Sequence, residues 1–354
     1  MAGEPMVVVG IGMVSPVGLS LPETAASARA RIARLREIEW RDRRFEPFIV
    51  GAVPDDGLAE LEPKLQVLNL QYREARMLRL AHVALDEVLK PLAGNNIVLP
   101  LLLGLPEHHT TKPIDAKGFL AKLAHQAKLR LDPALSVAAP KGRAAGLMAF
   151  RRAGAMLESG EAEFVLVGGV DSLIDLYVLG TLDMQGRIRN EVNSDGFSPG
   201  EGAAFMLLTR ASTASKQNLK PLAHVLGCAF GFEAGHLYAE EPYLGEGLAA
   251  TFASLFAETP PPKPIGCVYC SFNGERYWGK EFGVARLRQS DKFAPDHQME
   301  HPAECFGDLG AAHGPALVAL AVHGIHQGYR REPCLVYASS DYGDRAALLL
   351  GKPS

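Results

Sequence analysis

The chain has little of what marks a specialised class of protein. Cysteine is scarce: five residues in 354, at positions 228, 267, 270, 305 and 334. An odd count, behind an N-terminus (MAGEPMVVVG) without the basic, apolar and cleavage regions of a signal peptide, argues against a secreted, disulfide-framed domain. No apolar run approaches the roughly 20 residues that cross a bilayer. Neither sign of charge dominates: 36 Lys and Arg stand against 40 Asp and Glu, a formal net charge of −4. That balance gives no electrostatic reason to expect nucleic acid or an anionic membrane as partner. No tandem repeat is present, which excludes a solenoid. The expectation is a soluble, cytoplasmic, globular protein without a cofactor.

The metal-ligating residues are scattered in the same way. Cys267 and Cys270 have a C-x-x-C spacing, but they sit in the apolar run IGCVYCSF, which reads as a buried strand. No second pair of ligands follows, and a structural zinc site needs four. His108-His109 reads as part of a loop, and His323 and His326 as the end of a helix. No metal is expected.

What is present is an alternation of strands and helices. Strands are expected at 7–14, 97–105, 134–139, 164–170 and 203–209, with helices at 24–35, 70–89, 116–129 and 144–158. The pattern then restarts, with strands at 223–232, 265–271, 334–339 and 345–351 and helices at 245–257 and 311–326. Roughly five strands per half, separated by helices, predict an α/β protein with mostly parallel sheets covered on both faces. The two halves divide as 1–215 and 216–354, one structural unit between them.

Four stretches carry a resemblance: VVVGIGMVSPVG (7–18), AAGLMAFRRAGAMLESGEAEFVLVGGVDS (144–172), DGFSPGEGAAFMLL (195–208) and FGDLGAAHGPALVALAV (306–322). The third is the sharpest; Gly196, Gly200 and Gly202 there suit positive φ or close backbone approach. Together, and in this order, the stretches resemble the β-ketoacyl synthases of the thiolase superfamily. The resemblance implies a thiolase-like αβαβα sandwich of two pseudo-symmetric halves.

It also implies where a condensing enzyme would keep its nucleophilic cysteine and two histidines, and here all three positions are replaced. The cysteine's place, three residues before Gly146, is taken by Arg143, which cannot be acylated and does not deprotonate. The first histidine's place falls on Asn273 and the second's on Gly307. Cys305 and His313 lie nearby in sequence, in a segment expected to be far from the nucleophile position. The gating Gly-Phe-Gly-Gly segment becomes Asp341-Tyr342-Gly343-Asp344. A guanidinium at a helix N-terminus is unfavourable, so Arg143 is expected to pair with Glu275 or Asp308 and plug the old acyl pocket. Arg276 and Trp278, with Tyr277, form a polar–aromatic cluster of the kind enriched in interfaces.

No catalytic residues are therefore assigned. Two functions are open. NGERYW, CFGDLGAAHGP and ASSDYGDRAALLL resemble degenerate ketosynthase-like proteins associated with type VI secretion effector clusters, which implies an accessory or chaperone that binds a secreted effector or adaptor. The alternative is an acyl-binding partner of an active ketosynthase, like a chain-length factor. The chain is short for that role, the missing length falling between residues 7 and 98. A homodimer is expected across the strand at 134–139.

Overall fold

The computed structural model describes residues 4–93, 97–108 and 113–353; His109 lies outside them. The first half contains β1 (Met6–Val14), α1 (Leu21–Arg29), the hairpin β2 (Arg36–Arg41) and β3 (Pro47–Val50), and helices α2 (Pro63–Gln66) and α3 (Tyr72–Val88). It continues through β4 (Leu101–Gly104), α4 (Ala116–Gln126), β5 (Val137–Ala139), α5 (Ala145–Ser159), β6 (Phe164–Ser172), α6 (Leu176–Met184), β7 (Glu201–Arg210) and α7 (Ala211–Lys216). The second half runs β8 (Ala223–Phe232), α8 (Glu246–Glu258), β9 (Ile265–Cys270), α9 (Arg276–Arg288), β10 (Phe293–Glu300), α10 (Ala303–Phe306), α11 (His313–His326), β11 (Cys334–Ser339) and β12 (Asp344–Gly351).

The strand orders repeat. The first half reads β5-β4-β6-β7-β1 and the second β10-β9-β11-β12-β8. In each, the two outer pairings are parallel and the two inner ones antiparallel. This corrects the expectation of mostly parallel sheets. The chain leaves β6 and β11 without a helical crossover to a parallel neighbour, and β7 and β12 run back antiparallel beside them. The two leaves meet at β1 and β8 through the pairs Met6–Val225, Val7–His224 and Val8–Ala223.

Alternate strand residues point to opposite faces, so each leaf needs two apolar covers. Outside the first leaf, α3 and α4 bury Met77, Leu80, Leu85, Phe119 and Leu123 against it. Outside the second, α8 and α9 bury Phe252, Leu255 and Phe282. Between the leaves lie α5 and α11, whose Leu147, Phe150, Leu317 and Val318 share one core with Val167 of β6 and Val336 of β11. The result is five layers, αβαβα. Helix α5 stops where the sequence predicts: Gly160 takes φ 77°, a left-handed conformation that ends helices readily.

Cys267 and Cys270 fall three apart on β9 and face opposite sides of the sheet, Cys267 toward the central core and Cys270 toward the outer one. One ion cannot be shared between them. The fold thus brings the heads of the two central helices, and the loops at the ends of β9 and β11, to one place.

Candidate functional site

Arg143 sits in a single 3-10 turn, Gly142–Ala144, that leads into α5. It is 5% exposed. Its Nη2 lies 2.7 Å from Asp308 Oδ2, and its Nε donates to the same oxygen at 2.8 Å. Its Nη1 donates to Asp341 Oδ1 at 2.6 Å. The guanidinium carbon stands 5.0 Å from the centre of the Trp278 ring. The first N–H of the helix entry, on Ala144, is taken by Ser340 Oγ at 2.9 Å. A cation at this helix end is thus held by two carboxylates, which outweigh the opposing helix dipole.

The pairing partner is Asp308; Glu275 pairs elsewhere. Glu275 grips Arg187 through two bonds, Nε to Oε1 at 2.7 Å and Nη2 to Oε2 at 2.8 Å. Arg187 also donates to Asp341 Oδ2 at 2.6 Å, so Asp341 bridges the two arginines. Asn273 closes the circuit: its Nδ2 donates to Glu275 Oε2 at 3.0 Å and to Asp308 Oδ2 at 2.9 Å. The six residues form a closed ring, Asp308–Arg143–Asp341–Arg187–Glu275–Asn273. Trp278 braces it by donating from Nε1 to Glu275 Oε2 at 3.0 Å.

Charge and burial act together here. Burial alone would raise the Asp308 carboxyl, but the Arg143 guanidinium beside it overrides that and brings it down to about 2. Glu107, from the loop after β4, accepts the N–H groups of Asp341 at 3.2 Å and Tyr342 at 3.1 Å. Burial, with the Asp341 charge alongside, pushes its carboxyl up to about 7. The void between Arg143, Glu107, Asp171, Arg73 and Asp341 measures about 40 Å³. That holds a few waters; pockets for organic ligands are roughly 300–1,000 Å³.

Three expectations bear on this geometry. Gly307, given the second histidine's place, does not itself face Arg143. Its φ of 81° and close approach to the Ser198 carbonyl seat it against the Ser198–Pro199 backbone, and its neighbour Asp308 faces the arginine. Asp308 N donates to Ser198 O and Gly200 N to Asp308 O, which pins the loop there. Second, the segment carrying His313 is not distant. A Cβ on Gly314 would lie 2.3 Å from the Arg143 carbonyl, and His313 Nδ1 is 3.6 Å from Asp308 Oδ1. Buried and beside Arg143, with Asp308 opposing, His313 is driven down to about 4 and stays neutral. Third, the Arg276–Trp278 cluster divides. Trp278 is 2% exposed inside the ring's wall, whereas Arg276 lies at the surface, donating to Asp195 at 2.9 Å. Tyr342 stays at the mouth, stacked on Tyr238 with ring centres 4.9 Å apart.

Arg187 is the member sequence reading misses. It lies between α6 and the DGFSPGEG loop, in no recognised motif. The available signal was charge: three acids converging on one arginine require a second cation. The glycines of that loop act through proximity. A Cβ on Gly196, Gly200 or Gly202 would lie within 2.7 Å of backbone, and none has positive φ. Glu201 of the same loop is buried and paired with Arg76 at 2.7 Å, a structural role.

With this geometry the likenesses to known proteins fall into place. Residues 133–214 match the family "Beta-ketoacyl synthase, N-terminal domain". The architecture is ketosynthase-like. The ishigamide ketosynthase/chain length factor superposes with a TM-score of 0.78 at 18% identity, covering 100% of both chains. A ketosynthase from module 6 of the bacillaene synthase of Bacillus subtilis 168 gives 0.80 at 14% identity, over 99% of this chain and 72% of that one. A type II PKS acyl-carrier protein in complex with its ketosynthase bound to the hexaketide, AntDE:AntF, gives 0.79 at 16% identity, over 99% and 100%. No curated protein sequence matches the chain. No helix among the described residues is long and apolar enough to cross a membrane.

Proposed function

We propose that this ketosynthase-like chain is catalytically silent and works in the cytoplasm as a protein-binding accessory, in the loading of type VI secretion effectors. One observation carries the first part: the head of α5, where the resemblance puts a nucleophilic cysteine, is occupied by Arg143 inside a closed ring of buried charges. A condensing reaction needs a nucleophile, an imidazole or other donor for the developing enolate, and room for a thioester. Arginine supplies no nucleophile, His313 is enclosed and neutral, and the void admits only water. The second part rests on the resemblance of the 273–278, 305–315 and 338–350 segments to proteins of type VI effector clusters.

A second reading, a chain-length-factor-like partner of an active ketosynthase, is favoured by the full-length superposition on the ishigamide ketosynthase/chain length factor. Both readings need a protein partner. The homodimer expected across 134–139 has little edge to use: β5 keeps three residues, and Pro140 after it offers no N–H. Mixing the purified chain with an effector or adaptor encoded beside its own gene, then light scattering on the eluted complex, tests the first reading. A stoichiometric complex supports it, and a complex with a ketosynthase instead supports the second. Acylation by acyl carrier protein would overturn both.

A further inference from the structure

Two of the buried cysteines meet. Cys267 of β9 and Cys334, the first residue of β11, are direct partners across neighbouring parallel strands. Both side chains point into the central core, and neither residue is exposed. Directly opposed residues of adjacent strands stand about 4.8 Å apart, inside the roughly 4.4–6.8 Å that a disulfide spans between Cα atoms. The thiols are in hydrogen-bond contact, Cys334 to Cys267. Cys270 has a different neighbour: it turns to the outer face of β9, beside Tyr337.

The surroundings suit thiol chemistry. Arg330 is held by the Tyr269 hydroxyl, which accepts from its Nε at 3.0 Å, and by Glu300 at 2.8 Å. Its charge acts on both sulfurs. A cation beside a thiol favours the thiolate, the form that attacks an oxidant. The two thiols differ in their parts. Cys334 is held well above the usual thiol range, first by its bond to Cys267 and then by burial, against the Arg330 charge. Its S–H also has the Arg331 carbonyl within 3.4 Å. Cys334 therefore keeps its proton, which leaves Cys267 as the sulfur that reacts first.

The loop at 329–333 lies against the pair. It packs on Gly266, where a Cβ would lie 2.7 Å from Arg331 Cβ, and the Arg331 side chain is 48% exposed. A bulky oxidant is excluded there. A peroxide is close to water in size and needs only a local opening of that loop.

We propose that Cys267 and Cys334 form a redox-active dithiol, which hydrogen peroxide converts to a cross-strand disulfide. The Cys267 thiolate attacks one peroxide oxygen and the O–O bond breaks. The departing hydroxide takes up the proton that Cys267 gave up and leaves as water, and Cys267 becomes a sulfenic acid. The Cys334 sulfur then attacks the Cys267 sulfur. Its proton leaves with the sulfenic hydroxyl as a second water, and the S–S bond closes. Two thiols are oxidised and one peroxide is reduced to two waters. The bond ties β9 to β11, the strands that lead to Asn273 and Glu275 and to Asp341 of the charged ring. In a reducing compartment such a bond is transient and reports oxidation. The proposal goes beyond the proposed function and does not depend on it.

The test is oxidation of the full, previously reduced chain with hydrogen peroxide, then maleimide labelling in denaturant and peptide mapping without reductant. Two of the five thiols should be lost together, in one linked pair of peptides carrying Cys267 and Cys334, and dithiothreitol should restore both. C334A removes the resolving thiol, so Cys267 should be trapped by dimedone as its sulfenic acid and no disulfide should form. C267A should leave Cys334 a thiol. Each variant removes one sulfur atom, and a parent-like circular dichroism spectrum shows that it is folded; mapping of the parent needs neither. Survival of all five thiols in the parent, a link to another cysteine, or a link between two copies overturns the proposal. So does oxidation of Cys334 in C267A as fast as in the parent. None of these outcomes bears on acylation or on partner binding, so this proposal and the proposed function fail separately.

Discussion

Replacing Arg143 with Met keeps most of the side chain's volume and removes its charge, which isolates the electrostatic role of the ring. Asp308 is fully buried and loses the guanidinium paired with it, keeping Asn273 Nδ2 and the Gly310 N–H at 2.9 Å. Asp341 retains Arg187. One carboxylate is thus stranded, and stranding one member of a buried pair costs about 3–5 kcal/mol. At roughly 2 °C per kcal/mol for a domain of this size or somewhat smaller, the melting temperature should fall by about 6–10 °C. The sign can be checked by a second change. R143M/D308N removes the stranded charge while leaving an acceptor for Gly310, so it should regain at least half of the loss. D308N alone should destabilise, since Asn273 and Arg143 then compete for a neutral partner. Calorimetry at pH 7 reads all three. R143M melting within about 1 °C of the parent, or a double variant whose loss equals the sum of the singles, would refute the ring as a coupled unit.

Acid should act on the same ring. The Asp308 carboxyl titrates lower in the folded than in the unfolded chain, so its stabilisation is complete above about 4 and is lost as pH falls toward 2. Two neighbours oppose one another at milder pH. Glu107, raised to about 7, loses stability as pH rises from the ordinary carboxylate range through 7, whereas His313, lowered to about 4, gains stability as pH rises from 4 to its ordinary 6.5. E107Q should therefore tilt the stability profile upward relative to the parent as pH rises from about 4.5 to 6.5; urea midpoints across that range check this, and parallel profiles would count against it. Burial pushes the thiols of Cys228 and Cys305 up to about 11 and that of Cys270 to about 12. None of these three thiols should then react with iodoacetamide on the minute scale at pH 7.5, as followed by peptide mass; fast alkylation of any of the three would refute that reading.

Strands buried on both faces were legible in the sequence, because continuous apolar runs announce them. The expected 334–339 coincides with β11, and the expected 164–170 falls within β6; both are buried throughout. Three of the elements missed have polar residues that mask the period. Strand β2, REIEWR, is largely exposed, and β10, FAPDHQME, carries a proline and three charges or amides on a half-buried edge. Helix α9 buries only Trp278, Glu281, Phe282 and Ala285, and its two glycines and four basic residues hide that stripe. At the site, motif order placed Arg143 and Asn273 and raised Asp308 as a partner. It could not place Arg187, whose role exists only once α6, the loop after β9 and the β11–β12 turn converge.

Under the proposed function, no acyl group is carried at the head of α5. The most direct measurement is the intact mass of the purified chain after prolonged incubation with an acyl-loaded carrier protein and with acyl-CoA. The unmodified mass is expected in both. A stoichiometric acyl adduct, on any of the five cysteines or on Ser340 at the helix head, would contradict it.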